Sequence, residues 1–135
     1  LNAKEIISLE GVGSPTSESN RVFYYSTENG KVSKRLEDAA SPLVEGIIVG
    51  PTGALLARRL KVPLVALFAE AKSGLPDSKA AAEIIKALDA YTGLKIDPKP
   101  LIKQAAMFEN KLKSILEKGN KAEDTQQKKR LSYVG

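Results

Sequence analysis

The chain has no cysteine and no histidine. The first absence removes disulfides, thiolate nucleophiles and cysteine-based metal sites. The second removes the commonest general base and the commonest transition-metal ligand, so a Ser-His-Asp triad cannot be assembled. Any chemistry must run on carboxylates, lysines, tyrosines or backbone amides. One carboxylate with water can hold Mg²⁺, but no pattern specifies such a site, and no cofactor is expected. Aromatics are few and not interleaved with cations, so platforms for stacking bases are not expected. There is no window of about 18 uncharged apolar residues, and hence no expected transmembrane helix. The first residues, LNAKEIISLEG, lack the charged and apolar regions of a signal peptide. A cytoplasmic location is the expectation. The chain starts at Leu1 rather than methionine, as a fragment or a processed product would.

What is present fits one domain. At 135 residues a chain can bury roughly two-thirds of its unfolded surface and hold a core by packing alone. The net charge of +5 is uneven, because beyond Asn110 seven cations face only three carboxylates. Basic character therefore belongs to the tail, read as a solvated segment, and nucleic acid is not an expected partner. The expected division is an α/β body over 1–118 and a basic, mobile tail over 119–135. No internal repeat is visible.

The organising stretch is LVEGIIVGPTGALLARRLKVPLVALFAEAKSGLPD, residues 43–77. Its apolar run from Leu43 to Val49, a Gly-Pro-Thr-Gly turn, a short helix and a second apolar run from Val62 to Ala69 predict a βαβ unit with parallel strands. Leu55, Leu56 and Leu60 are expected to pack inward. Before it, Lys4–Val12 and Arg21–Thr27 predict two further strands, Asn29-Gly30 is a candidate turn, and Val32–Ala39 predicts a short helix. After it, Asp77 is placed to cap a helix over Ser78–Thr92. That helix has an inward stripe of Ala81, Ile84, Ile85, Leu88 and Tyr91, and Gly93 as its stop.

Asp97-Pro98 repeats the start signal, predicting a helix to about Lys118 with Gly119 as its stop. Its apolar positions Leu101, Ala105, Phe108, Leu112 and Ile115 follow a 4, 3, 4, 3 spacing, a heptad seam. Glu109 and Lys113 are expected to pair on its flank. The seam fits either a globular amphipathic helix or a helix docking on another subunit. The closing LSYVG restores apolar character, making Tyr133 and Val134 candidates for docking on the body or on a partner.

Two constellations bear on chemistry. Gly50, Thr52 and Gly53 lie in a turn opening a helix, where free amides and the helix dipole attract phosphates; tight helix packing explains them equally well, and the P-loop lysine is missing. Glu70 and Asp77 fall at or beyond the C-terminal end of a core strand, where ligands collect in open α/β sheets. Their separation is not legible, and Asp77 already has a capping role. A small-molecule or phosphate-binding enzyme using these five residues is the alternative to a binding protein. GVG at Gly11–Gly13 reads as a strand exit.

Taken together, KEIISLEGV, VFYYST, the glycine-rich Gly46–Leu56, Ala69-Glu70, Pro76-Asp77, Ala80-Ala81, Thr92-Gly93-Leu94, Ile96-Asp97 and a last helix with Pro100-Leu101, Ala105, Ala106 and Glu109 resemble the proteasome assembly chaperone family, particularly its archaeal members. The resemblance covers roughly Lys4 to Leu116. It implies a three-layer α/β/α sandwich with a mostly parallel sheet, similar to the nucleoside phosphorylase and peptidyl-tRNA hydrolase group. It also implies a non-catalytic, ATP-independent homo-oligomer that binds proteasome α subunits or related chaperone subunits. Family chains are usually nearly twice this long, so the chain corresponds to the C-terminal portion of a domain. A missing N-terminal segment that stays associated, or self-association, is expected to cover the exposed sheet. Members that dock in α-ring pockets end in a hydrophobic residue, tyrosine and any last residue; here Tyr133 is third from the end and follows Ser132, so that match is shifted.

Overall fold

A computed structural model describes residues 2–14, 20–28, 32–58, 60–72 and 77–132; of 101, 117 and 119–132 it describes the backbone only. Strands β1 (Ile6–Gly13), β2 (Val22–Ser26), β3 (Ser41–Pro42) and β4 (Leu64–Ala71) form one sheet in the order β1-β4-β2-β3. β1 runs parallel to β4, and β3 parallel to β2, while β2 and β4 are antiparallel. The sheet is therefore mixed but mostly parallel. Helices α1 (Lys34–Ala39), α2 (Gly50–Ala57), α3 (Ser78–Thr92) and α4 (Lys99–Ser132) complete the chain.

β4 has a neighbour on each side and a helix layer on each face, so its sequence LVALFA is apolar without alternation. Its residues divide by the strand period of two. Val65, Leu67 and Ala69 pack with Leu36, Ala80, Ile84 and Ala87 under α1 and α3. Leu64, Ala66 and Phe68 face the other way, against Ile6, Phe23, Leu43, Ile48 and the α2 leucines Leu55 and Leu56. Helices thus lie on both faces of the sheet, giving the α/β/α sandwich.

The expected helix over 78–92 forms with both end signals in use. Asp77 accepts hydrogen bonds from the Lys79 and Ala80 amides, each 3.1 Å, and Gly93 closes the helix at φ 68°, a conformation glycine adopts without strain. The inward stripe is rotated slightly from expectation. Ala80 is buried and Ala81 exposed, while Ile84, Ile85, Leu88 and Tyr91 pack on the core. In α1, Ser33 caps the Leu36 amide and Leu36 is fully buried.

Three expectations are corrected. The run from Leu43 to Val49 is not a strand. Pairing with β2 ends at Tyr24↔Pro42, and after the Leu43 amide bonds to Tyr24 O at 2.8 Å the chain leaves the sheet. Val44 is left 93% exposed and Ile47 94% exposed. A β-prone run needs an edge to pair with, and among the described residues none meets it, so the βαβ unit over 43–77 does not form. Leu60, placed inward by its spacing, lies past the end of α2 and is exposed. Gly119 does not stop α4, which runs to Ser132. One interior glycine costs only about 1 kcal/mol relative to alanine, and the surrounding Lys, Ala, Glu and Gln residues favour helix. Asn29-Gly30, Tyr133 and Val134 lie outside the described residues.

Candidate functional site

The C-terminal ends of β1 and β4, the 43–49 segment and Phe23 enclose a cavity of about 530 Å³. Its walls are largely apolar, through Val12, Leu43, Ile48 and Phe68, and it also includes Glu10 and Glu70. This is where an open α/β sheet places a ligand. The residues that would act there already have structural occupations.

Thr52 is buried, with its hydroxyl 2.6 Å from that of Ser8, which pins α2 to β1. Gly53 is a contact point: a Cβ there would lie 2.5 Å from the Ile48 carbonyl oxygen. Gly50 has φ +70° and sits against Glu10. The turn is thus built for close packing of α2 on the segment before it. The cavity itself carries the Glu10, Glu45 and Glu70 carboxylates, a lining that suits apolar or cationic groups rather than a phosphate.

Glu70 faces Arg21 in a two-pronged pair, both N···O distances 3.0 Å. Arg21 also lies over the Phe23 ring, 5.5 Å from its centre. Asp77 is held by four donors: the amides of Lys72, Lys79 and Ala80 and the side chain of Asn20. Burial raises its proton affinity, but these hydrogen bonds outweigh it and hold the carboxyl below its ordinary range. That is the reverse of what a general acid needs. Asn20 joins the two acids, donating to Glu70 O at 3.0 Å and Asp77 Oδ2 at 3.1 Å. The two positions are therefore neighbours, but each carboxylate is already engaged with other groups. Among the described residues, no cluster of three or more acids could hold a metal.

Sequence reasoning missed two contacts. Glu109 accepts from the Ser78 amide rather than pairing with Lys113. With Asp77 taking Lys79, Ala80 and, through its carbonyl, Ala81, the first-turn donors of α3 are all satisfied. Tyr91 donates to Glu5 across the far end of the fold; its hydroxyl is pushed up to about 12 by burial, then by that bond and the charges of Glu5 and Glu28. A span of 31 or 86 residues leaves no local signal for either contact.

The α4 positions separate. Ala105 and Leu112 are partly buried, on the side of the helix that carries Glu109 to α3, whereas Phe108 is 58% and Ile115 55% exposed. Met107 and Leu116 are also exposed. The side chain of Leu101 lies outside the described residues. No helix among the described residues is long and apolar enough to cross a membrane.

These features define an α/β/α sandwich whose acids and glycines serve packing and capping, with apolar side chains exposed on α4 and on the 43–49 segment. The chain belongs to the PAC2 family, whose model matches residues 1–116. It is similar to Pyrococcus furiosus PbaA, an archaeal homolog of proteasome-assembly chaperone. The two share 30% identity with a TM-score of 0.71 over 95% of this chain and 55% of that one. A Thermoplasma acidophilum protein of unknown function is 27% identical, with a TM-score of 0.67 over 92% of this chain and 52% of that one. Pyrococcus furiosus PbaB, an archaeal proteasome activator, shares the fold at 23% identity, with a TM-score of 0.65 over 83% of this chain and 50% of that one. The chain thus spans about half the length of these relatives. No match was found among curated proteins.

Proposed function

We propose that the protein is a non-catalytic, ATP-independent proteasome assembly chaperone of the cytoplasm. In this reading it binds proteasome α subunits or related chaperone subunits through its surface and forms homo-oligomers. Support comes from membership of the PAC2 family and from likeness to an archaeal homolog of proteasome-assembly chaperone. The observation that carries the binding mode is the exposed strip on α4. Phe108 and Ile115 sit two turns apart on one face, beside rather than inside the α3 contact. Leu101 continues the strip by spacing, Leu112 flanks it, and Tyr133 and Val134 follow the helix as a terminal docking element. A helix face of this kind seats in an apolar groove through i, i+3, i+4 and i+7 anchors. In this proposal the body spans 1–118 and the basic tail 119–135, with Phe108 and Ile115 on the part of α4 that belongs to the body.

The test is α-ring formation from purified α subunits with the chain added and no nucleotide. Faster or more complete ring assembly is expected, and Phe108→Glu with Ile115→Glu should abolish it while leaving the circular dichroism spectrum unchanged. Unaltered assembly in the presence of folded wild-type chain would refute the proposal.

A further inference from the structure

The sheet register lays out the floor of the cavity at the C-terminal ends of β1 and β4. Glu10 of β1 stands opposite Phe68 of β4, and Phe68 opposite Phe23 of β2, so the three form one row across the sheet. Two residues further along β4, Glu70 stands opposite Val12. By the strand period of two, both rows lie on the face that carries α2. All five residues line the cavity, together with Leu43 and Ile48 of the 43–49 segment. The two acids on this floor differ in one respect. Glu70 holds a cation: Arg21 meets both of its oxygens at 3.0 Å and lies over the Phe23 ring. Glu10 stands beside Phe68 without one. Its Oε1 is set against the Gly50 turn, and its Oε2 is buried with no hydrogen-bond partner among the described residues. A buried carboxylate oxygen left unpaired is costly, and a cation brought to it removes the cost.

We infer that the cavity binds an alkylammonium group, its nitrogen at Glu10 and its aliphatic stem along Phe68 and Ile48. A volume of about 530 Å³ suits a small organic ligand. Largely apolar walls favour a cation with a hydrocarbon stem over a hydrated inorganic ion, and among the described residues no cluster of three or more acids could hold a metal. A guanidinium is matched to both oxygens of a carboxylate, as Arg21 is to Glu70. Glu10 has one oxygen left to pair, which matches the compact charge of an ammonium. The Phe68 ring adds attraction for a cation near its face. Glu45, exposed on the 43–49 segment, adds a further carboxylate to the lining. A free alkylamine and the lysine side chain of a peptide carry the same group. This inference does not depend on the reading of α4.

Isothermal titration of the chain with 1-pentylamine at neutral pH and fixed ionic strength tests it, with 1-pentanol as the uncharged match. Pentylammonium should bind, and pentanol roughly ten-fold more weakly or less. Glu10→Gln should weaken pentylammonium by roughly ten-fold and leave pentanol unmoved. Val12→Phe, at a position 46% exposed, should block binding by filling the cavity without touching the charge. The two variants reach the site by different routes, so if circular dichroism shows one misfolded the other decides. Nα-acetyl-lysine N-methylamide sorts the sources. Binding as tight as pentylamine supports a peptide lysine as the ligand, and failure beside a binding pentylamine supports a free amine. A folded chain that does not bind pentylammonium would overturn the inference. So would pentanol binding equally well, or pentylammonium binding that ignores Glu10→Gln and Val12→Phe. None of these outcomes bears on Phe108 and Ile115, so failure here is distinct from failure of the proposed function.

Discussion

Replacing Gly53 with alanine tests whether the glycine turn is a packing device. Two effects oppose each other. Alanine in place of glycine inside a helix gains about 1 kcal/mol from propensity. Against this, the added Cβ would stand 2.5 Å from the Ile48 carbonyl oxygen and 3.2 Å from its carbon, roughly 1 Å short of ordinary contact. Both clashing atoms are backbone, so no side chain can rotate away. The Ile48 side chain is itself packed beside Leu55 and Leu56 on the core around Phe68, so displacing it disturbs that layer. Overpacking of this kind costs about 1–3 kcal/mol. Net of propensity, Gly53→Ala should destabilise by about 1 kcal/mol and lower Tm by roughly 3–5 °C for a domain this size. Thermal melts and urea unfolding with an unchanged m-value would read it. Gly46→Ala is the control, because its Cβ would meet only Leu43 side-chain atoms at 3.5 Å or more, and it should be nearly neutral. A higher Tm for Gly53→Ala, the result of propensity acting alone, would refute the reasoning.

Further outcomes follow from single contacts. Thr52→Val should cost about 1 kcal/mol by stranding the Ser8 hydroxyl, and the double change with Ser8→Ala should recover much of it in a double-mutant cycle. Asp77→Ala should cost about 1–2 kcal/mol in urea unfolding through the lost cap and its bonds to Lys72 and Asn20. Because the folded-state affinity of Asp77 for a proton is lowered, its contribution is present above the ordinary carboxylate range and lost as pH falls through the folded value. Asp77→Asn should therefore flatten the acid limb of stability against pH. Tyr91 has the opposite sign: its contribution is present below about pH 10 and is lost as pH rises toward about 12. Tyr91→Phe should remove that alkaline loss, read by unfolding and by tyrosinate absorbance.

Much of the fold was legible because its signals are local. The apolar run ending in Ala69-Glu70 became the doubly covered β4, and Asp77 and Gly93 bounded α3 as cap and stop. The failures arise where tertiary partners decide. Leu43–Val49 has strand propensity, but propensity cannot supply an edge to pair with, and pairing with β2 stops at Pro42. Ala81 and Ala80 are equivalent by composition, and only the position of α3 on the sheet chose Ala80. At the candidate site, the residue types were legible and their occupations were not. That Glu70 meets Arg21, that Asn20 bridges Glu70 to Asp77, and that Glu109 reaches Ser78 depend on separations of 31 to 57 residues. Those contacts give both members of the candidate acid pair a structural role.

The proposed function has the protein hold proteasome α subunits. Its most direct test is affinity purification of the tagged chain mixed with α subunits in the absence of nucleotide, followed by native mass measurement of the eluate. The α subunits should be retained in a fixed ratio to the chain and lost with Phe108→Glu and Ile115→Glu. A folded chain that elutes without α subunits would contradict it.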